Sequence, residues 1–355
     1  MMYSTSYLVF IYNGTLSHSA IYFQYIPSYF CFLAMESLSS KMNQGQKSNE
    51  KEENMYETKS PNIYIEIMST IPGRKGCWPA DLYQYEGFWY GRYTIEGILS
   101  TQDHFKPQPN NVILSSAPKS GTTWLKALSF SIMTRSHFDE STNPLLTKIS
   151  HDLVPFMEYQ FLSNSQTLDL NVPLSATHIS YTSLPKSIIN SGCKIVYICR
   201  DPKDVFVSLW HHSQKSVTKA REDLHLENAF MYFCEGLSSS GPYWDHVLGY
   251  WRASLESPER ILFLKYEDLM NDAVYWVKKM AQFIGYPFSF EEDDKGAVQK
   301  IIDLCSLEVN KSGIPEIQLK EIVIRNNIFF RKGKIEDGKN HLTVEMAMQL
   351  DQISE

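Results

Sequence analysis

The chain is poor in the features that mark several common protein classes. Its six cysteines, Cys31, Cys77, Cys193, Cys199, Cys234 and Cys305, are scattered over 355 residues, and none stands in a Cys-x-x-Cys or Cys/His metal spacing. This argues against a disulfide framework or a structural metal, and predicts free, buried thiols in a reducing, cytoplasmic compartment. No continuous run of about 20 apolar residues is present, so no transmembrane helix is expected. Positive charge is also in deficit. The formal net charge is −7, which argues against nucleic acid or an anionic membrane as the main partner. The Gly-x-x-x-x-Gly-Lys-Ser/Thr pattern of nucleoside triphosphate sites is missing as well.

What remains is a chain long enough for one large α/β domain or two small ones. Its hydrophobic content of 43% and aromatic content of 13% suit a globular fold with apolar pockets. Residues 1–70 read as a leader and a disordered tail. The leader is rich in Tyr, Phe, Ile and Ser and carries no charge before Glu36. It has neither the basic start nor the unbroken apolar run of a secretory signal. A non-native leader with Met35 as the functional start is expected; a cleaved targeting segment is the other reading. The stretch after it, KMNQGQKSNEKEEN, is too polar and charged to fold by itself. The ordered domain is expected over residues 71–355.

The chemistry concentrates in Asn111–Phe130, NVILSSAPKSGTTWLKALSF. Val112–Leu114 is a short buried strand, Pro118 and Gly121 break the chain, and Trp124, Leu125 and Leu128 follow at helical spacing. Strand, tight loop and helix N-terminus together make an anion site, because the first helical N–H groups lack partners and carry partial positive charge. Lys119 adds a full charge. Ser120, Thr122 and Thr123 add hydroxyls, and Gly121 permits close backbone approach. With the Lys before the Gly, the loop suits one terminal phosphate better than three.

Other elements follow the same logic. Leu174–Pro185 reads as a short strand ending in a loop, with His178 near the strand end, where sites collect in α/β chains. Lys194–Cys199, KIVYIC, is the cleanest buried strand. Arg200-Asp201-Pro202 then opens a helix over Lys203–His212, with Asp201 as its cap and Arg200 and Ser208 placed to face one anion. Helices are predicted over Leu224–Gly236 and Tyr243–Glu256, a strand over Ile261–Leu264, a helix capped near Asn271-Asp272 and running to Ile284, and a final long helix from Glu291 to about Cys305. The aromatic-rich stretch before the loop, Leu82–Tyr93, is core or pocket wall. HDLVPFMEY, ending at Tyr159, is either a loop packed on the core or part of a pocket.

PKSGTTW after a strand resembles the 5′-phosphosulfate loop of the cytosolic sulfotransferases, and YEGFWY with FKPQPNNVILSSAPKSGTTW resembles plant members. The resemblance runs from about Tyr83 to Thr343. It implies an α/β single domain with a central parallel β-sheet flanked by helices and a P-loop-kinase-like phosphate-binding loop. It implies 3′-phosphoadenosine 5′-phosphosulfate (PAPS) as co-substrate, no metal, and a small hydroxylated acceptor such as a flavonoid, steroid, hydroxyjasmonate-like compound or other phenol. By the family's motifs, Lys119, Ser120, Gly121, Thr122, Thr123 and Trp124 contact the cofactor. His178 in the TH motif is the general base. Arg200 and Ser208 in RDPKDVFVSLWHH bind the 3′-phosphate, and Ser208 holds Lys119 back until acceptor arrives. Tyr266 of YEDL lies against the adenine, and Arg331, Lys332 and Gly333 clamp the 3′-phosphate. HDLVPFMEY borders the acceptor.

The chain departs from the family in four places. The Lys that animal members carry two residues before the catalytic His is Ala176 here. The segment Cys305–Lys311 is shorter than usual and has no aromatic beside the adenine, a contact worth roughly 1–3 kcal/mol. Glu336-Asp337-Gly338 replaces the usual Gly-Asp-Trp, and the chain ends early. These departures keep a second reading open, a nucleotide-binding family member with weak or no turnover. A nucleotide kinase with a divergent loop is a third, opposed by Arg200, Ser208 and Arg331.

Overall fold

The fold is taken from a computed structural model, which describes residues 61–74, 81–160, 172–216, 224–306, 317–319, 322–324 and 333–354. Helix α1, Pro61–Thr70, comes first. Strands β1 (Gly73–Arg74), β2 (Leu82–Tyr85) and β3 (Phe88–Gly91) form a small antiparallel sheet. The β2–β3 hairpin turns on Glu86-Gly87, both at positive φ (49° and 89°), the conformation whose twist matches the flanking strands. Helix α2, Arg92–His104, leads into β4 (Val112–Ser115) and helix α3 (Thr122–Thr134). Two short helices, α4 (Ser150–Leu153) and α5 (Met157–Gln160), precede β5 (Leu174–Thr177). Helix α6, Lys186–Ile189, precedes β6 (Lys194–Cys199), which runs into α7 (Pro202–Ser216). Then come α8 (Leu226–Cys234), α9 (Tyr243–Glu256), β7 (Ile261–Lys265), α10 (Tyr266–Asn271), α11 (Ala273–Ile284), α12 (Phe290–Asp294), α13 (Ala297–Leu304) and, near the C-terminus, α14 (Val344–Ser354).

The central sheet is parallel throughout, in the order β5-β4-β6-β7. Period-two alternation along its strands divides the core into two layers. Val112, Leu114, Val196 and Ile198 pack on one face with Leu125, Leu128 and Phe130 of α3. Ile113, Ile195 and Tyr197 pack on the other with Ile95 and Ile98 of α2 and Tyr250 of α9. Strands apolar on both faces are what a parallel sheet covered by helices on each side requires. Because β5 and β6 flank β4, the chain reverses its direction of travel across the sheet at β4. Crevices at such a point, outside the carboxyl ends of the strands, are where α/β folds bind ligands.

Most predicted elements are present with ends moved by up to four residues, the largest shift being α7, which runs on from the expected His212 to Ser216. Asp272 caps α11 by accepting from Tyr275 N at 3.0 Å, and Gly285 at φ 91° ends it. Two expectations change. The single helix expected from Glu291 is two helices, α12 and α13, because Gly296 takes up φ 71° and breaks the run. The expected domain boundary at residue 71 falls just after α1, and Met68 of that helix is buried against the α2 layer with Tyr64 and Ile67 beside it. Residues 1–60 lie outside the described part. The four described cysteines, Cys193, Cys199, Cys234 and Cys305, are free, and all but Cys234 are buried. Among the described residues no helix is long and apolar enough to cross a membrane.

Candidate functional site

Strands β4 and β5 end level at Ser115 and Thr177, and β6 and β7 end level two residues further on, at Cys199 and Lys265. The residues that follow them therefore share one edge of the sheet: the loop 116–121, His178, Arg200 and Tyr266. The sequence-predicted residues of four separate stretches are brought together by strand register alone.

The loop after β4 is shaped by two left-handed residues, Lys119 at φ 67° and Gly121 at φ 111°. A non-glycine residue in that region carries backbone strain, which is tolerated where the surroundings hold it in place. Gly121 has a second reason to be glycine: a Cβ there would stand 2.7 Å from Cδ2 of Tyr266. Thr122 opens α3 and its hydroxyl meets that of Ser116 at 2.6 Å. Ser120 is fully buried, and its Oγ has no hydrogen-bond partner among the described residues. A buried hydroxyl without a partner is costly. Ser120 directly precedes the left-handed Gly121 that opens α3, whose first N–H groups have no partner within the helix and suit an anion.

His178 is held from several sides. Its backbone N–H donates to Glu158 Oε1 at 2.8 Å, and the Thr177 hydroxyl donates to Glu158 Oε2 at 2.9 Å. Its Nδ1 lies 2.7 Å from the Ser116 carbonyl oxygen. A carbonyl only accepts, so Nδ1 carries the ring proton and Nε2 holds the lone pair. Burial pushes the imidazole down to about 3, so the ring is neutral near pH 7. The Phe156 ring stands 4.7 Å from it, centroid to centroid. Behind it, His246 Nε2 reaches the His178 carbonyl at 3.2 Å and His246 Nδ1 meets the Tyr197 hydroxyl at 2.9 Å. Glu158 is fully buried, and that burial raises its carboxyl above the usual range.

Arg200 begins the other half. One terminal nitrogen of its guanidinium donates to Asp204 Oδ2 at 3.0 Å and to the Lys334 carbonyl at 2.7 Å. Its charge lies 4.6 Å from the Tyr266 ring centroid, within cation–π range. Its Nε is buried with no partner among the described residues. Asp204 also accepts from Glu336 N at 2.9 Å and Gly338 N at 2.7 Å. One buried carboxylate thus ties Arg200 to the segment 334–338. Asp201 takes its predicted capping place, accepting from Lys203 N at 2.8 Å. Ser208 is buried two turns into α7. Tyr266 packs over Gly121 and meets Trp124 edge to face at 5.7 Å, so the ring bridges the two halves. Gly333, at φ 62°, belongs to the same C-terminal segment. Arg331, Lys332 and the shortened stretch from Leu307 to Lys311 lie outside the described residues.

Several residues of the site lie outside the sequence-predicted set. Lys126, on α3, is fully buried, with its Nζ 3.0 Å from His151 Nδ1 and 3.1 Å from the Phe156 ring centroid. His151 Nε2 lies 3.2 Å from the Thr123 hydroxyl. A signal for Lys126 did exist. From Leu125 to Thr134 the helix is almost wholly apolar or small, the pattern of a helix buried all round, and a Lys inside such a run is buried with it. His151, Phe156 and Glu158 all come from HDLVPFMEY. Asp204 reads as an ordinary helical acid four residues after Arg200. Among the described residues no group of three or more His, Cys, Asp or Glu side chains is arranged to hold a metal ion.

A family model described as the sulfotransferase domain matches residues 109–355. A protein of Flaveria bidentis named flavonol sulfotransferase-like is 46% identical over 298 residues, covering 81% of this chain and 95% of its own. Cytosolic sulfotransferase 17 of Arabidopsis thaliana is 44% identical over 306 residues, covering 84% and 88%. Among solved structures, an Arabidopsis thaliana protein provisionally named a steroid sulphotransferase superposes with a TM-score of 0.64 at 33% identity, covering 85% of this chain and 95% of its own.

Proposed function

The chain belongs to the sulfotransferase family, as an enzyme of its plant cytosolic type, and from that premise we propose a substrate pair and a set of residue roles. The sulfuryl donor is PAPS, the acceptor is a hydroxyl of a flavonoid-like phenol, and the compartment is the cytosol. PAPS supplies an activated sulfuryl group on a phosphate leaving group. The orphaned Ser120 hydroxyl and Arg200 Nε fit a ligand with an anion at each end. Lys119, Ser120, Thr122 and Thr123, with the first N–H groups of α3, hold the 5′ end, and Gly121 keeps the backbone close to it. Lys119 and these donors stabilise negative charge on the departing phosphate, which is where preorganised donors do most in group transfer. Arg200, Ser208, Arg331, Lys332 and Gly333 hold the 3′-phosphate. Trp124 and Tyr266 bound the adenine side.

His178 removes the acceptor's proton. The observation that carries this role is the bond from His178 Nδ1 to the Ser116 carbonyl. It fixes the tautomer that leaves Nε2 as a proton acceptor, and it ties that ring to the loop assigned to the nucleotide. The acceptor oxygen then forms the S–O bond as the sulfur–phosphate oxygen bond breaks, and the products are a sulfate ester and 3′,5′-adenosine bisphosphate.

The test is H178A, measured both for transfer to a flavonol and for binding of 3′,5′-adenosine bisphosphate. Loss of a general base lowers turnover by about 10²–10⁴-fold, with nucleotide affinity retained. Unchanged turnover in H178A overturns the role. Failure of the parent protein to bind the bisphosphate or transfer sulfate favours the reading as a degenerate binding member.

A further inference from the structure

A lysine buried inside a helix is among the most expensive side chains to place, and it persists when partners hold it. Lys126 has them. Its Nζ approaches His151 Nδ1 at 3.0 Å and the face of Phe156 at 3.1 Å. Burial lowers its pKa, while the nearby carboxylates of Glu158 and Asp152 favour the charged form. His151 is pushed well below its usual range, first by burial and then by Lys126, so it is neutral and holds a single ring proton.

The direction of each hydrogen bond follows. With Lys126 charged, the form that Glu158 and Asp152 favour, its ammonium only donates, so His151 Nδ1 accepts and the ring proton sits on Nε2. Nε2 then donates to Thr123 Oγ1, 3.2 Å away. The Thr123 oxygen is engaged as an acceptor, which leaves its hydrogen for an acceptor elsewhere. Thr123 is the second residue of α3, next to the turn that carries Lys119 and Gly121. Ser150, at the start of α4, donates to the Thr123 carbonyl at 2.9 Å and holds the His151 segment against this point of the helix.

We propose that Lys126 and His151 form a hydrogen-bond relay that orients the Thr123 hydroxyl as a donor toward the 5′ anion of the nucleotide. Both are positioning residues: they act through Thr123 on the reacting end of the cofactor and have no part in holding its 3′ end. The relay rests on the nucleotide reading given above. It also gives a purpose to a buried charge on the helix of the phosphate-binding loop, in a chain where position 176, two residues before His178, is alanine.

Calorimetric titration of the full chain with two probes separates this role from simple packing. One probe is 3′,5′-adenosine bisphosphate; the other is adenosine 3′-monophosphate, which lacks the 5′ anion. K126M and H151F, both close in volume to the native side chains, weaken bisphosphate binding by about tenfold, the scale of one hydrogen bond to a charged group. They leave affinity for the monophosphate unchanged. In a T123V background, K126M has no further effect, because the relay already lacks its last member. Equal losses for both probes, an unchanged bisphosphate affinity, or an undiminished effect of K126M in the T123V background overturns the relay. A parent protein that does not distinguish the two probes overturns the nucleotide reading itself.

Discussion

The two halves of the site are built by opposite means. The half around the loop and His178 is wired locally. Ser116, Thr122, Glu158, Thr177, His178, His151 and Lys126 are all buried and joined by short hydrogen bonds among strand ends and the adjoining helices. The half around Arg200 depends on a loan from far along the chain. Its guanidinium is secured by Asp204 and by the Lys334 carbonyl, 134 residues away. Asp204 in turn carries the backbone of Glu336 and Gly338. The first half is rigid because its members come from the sheet and its immediate flanks. The second is tied to a distant segment through Asp204 and the Lys334 carbonyl. Accurate placement matters most where bonds are made and broken, and the wired half is the one assigned to that end of the nucleotide.

Removing Asp204 breaks this contrast most severely. D204A leaves the Arg200 guanidinium buried with one fewer partner and frees two backbone N–H groups. Loss of one member of a buried ion pair costs about 3–5 kcal/mol, read as a lower denaturation midpoint together with weakened bisphosphate binding. If D204A keeps both, the segment 334–338 is held by other contacts. A smaller effect comes from the join between the halves. G121A forces a side chain into φ 111° and against Tyr266. Strain of this kind costs about 1–3 kcal/mol, and bisphosphate affinity falls with it. Unchanged affinity shows that the Tyr266 ring can yield.

A third effect concerns acid. His178 and His246 titrate at about 3 and about 4 in the fold, held down chiefly by burial, against an ordinary value near 6.5. Between these limits the unfolded chain binds more protons than the folded one, so stability rises with pH across the window. The contribution is full above about 6.5 and is lost as pH falls toward 3. Asp152, raised to about 6 by burial, works in the other direction between about 4 and 6. Chemical denaturation of H178N across pH 4–7 shows a shallower slope than the parent; an identical slope means that the ring is not neutral when folded.

Much of this architecture is legible in the residues. KIVYIC is apolar on both faces and becomes β6 to the residue, because a covered parallel strand leaves no polar position to confuse its ends. Pro118, Gly121 and the helical spacing after them locate the loop, because glycine and proline act through backbone geometry that is local. His178 was visible as a histidine at a strand end. Lys126 and His151 were not visible as a pair, since their contact depends on how two segments 25 residues apart pack. The break at Gly296 was missed because Ala297–Leu304 continues the amphipathic pattern, and a left-handed glycine inside such a pattern gives no periodic signal. Arg331 and Lys332 were read from a motif alone and fall outside the described residues.

The bond between Arg200 and the Lys334 carbonyl has a consequence for how the protein is made. The sheet is complete once β7 has left the ribosome, and the loop and His178 can take up their geometry then. Arg200 and Asp204 must wait for residues 334–338, which follow the last strand of the sheet in the chain. During synthesis the chain therefore passes through a stage in which the reacting half exists without the other. A nascent chain arrested before residue 334 carries a folded sheet and a formed loop, and lacks the contacts that secure Arg200.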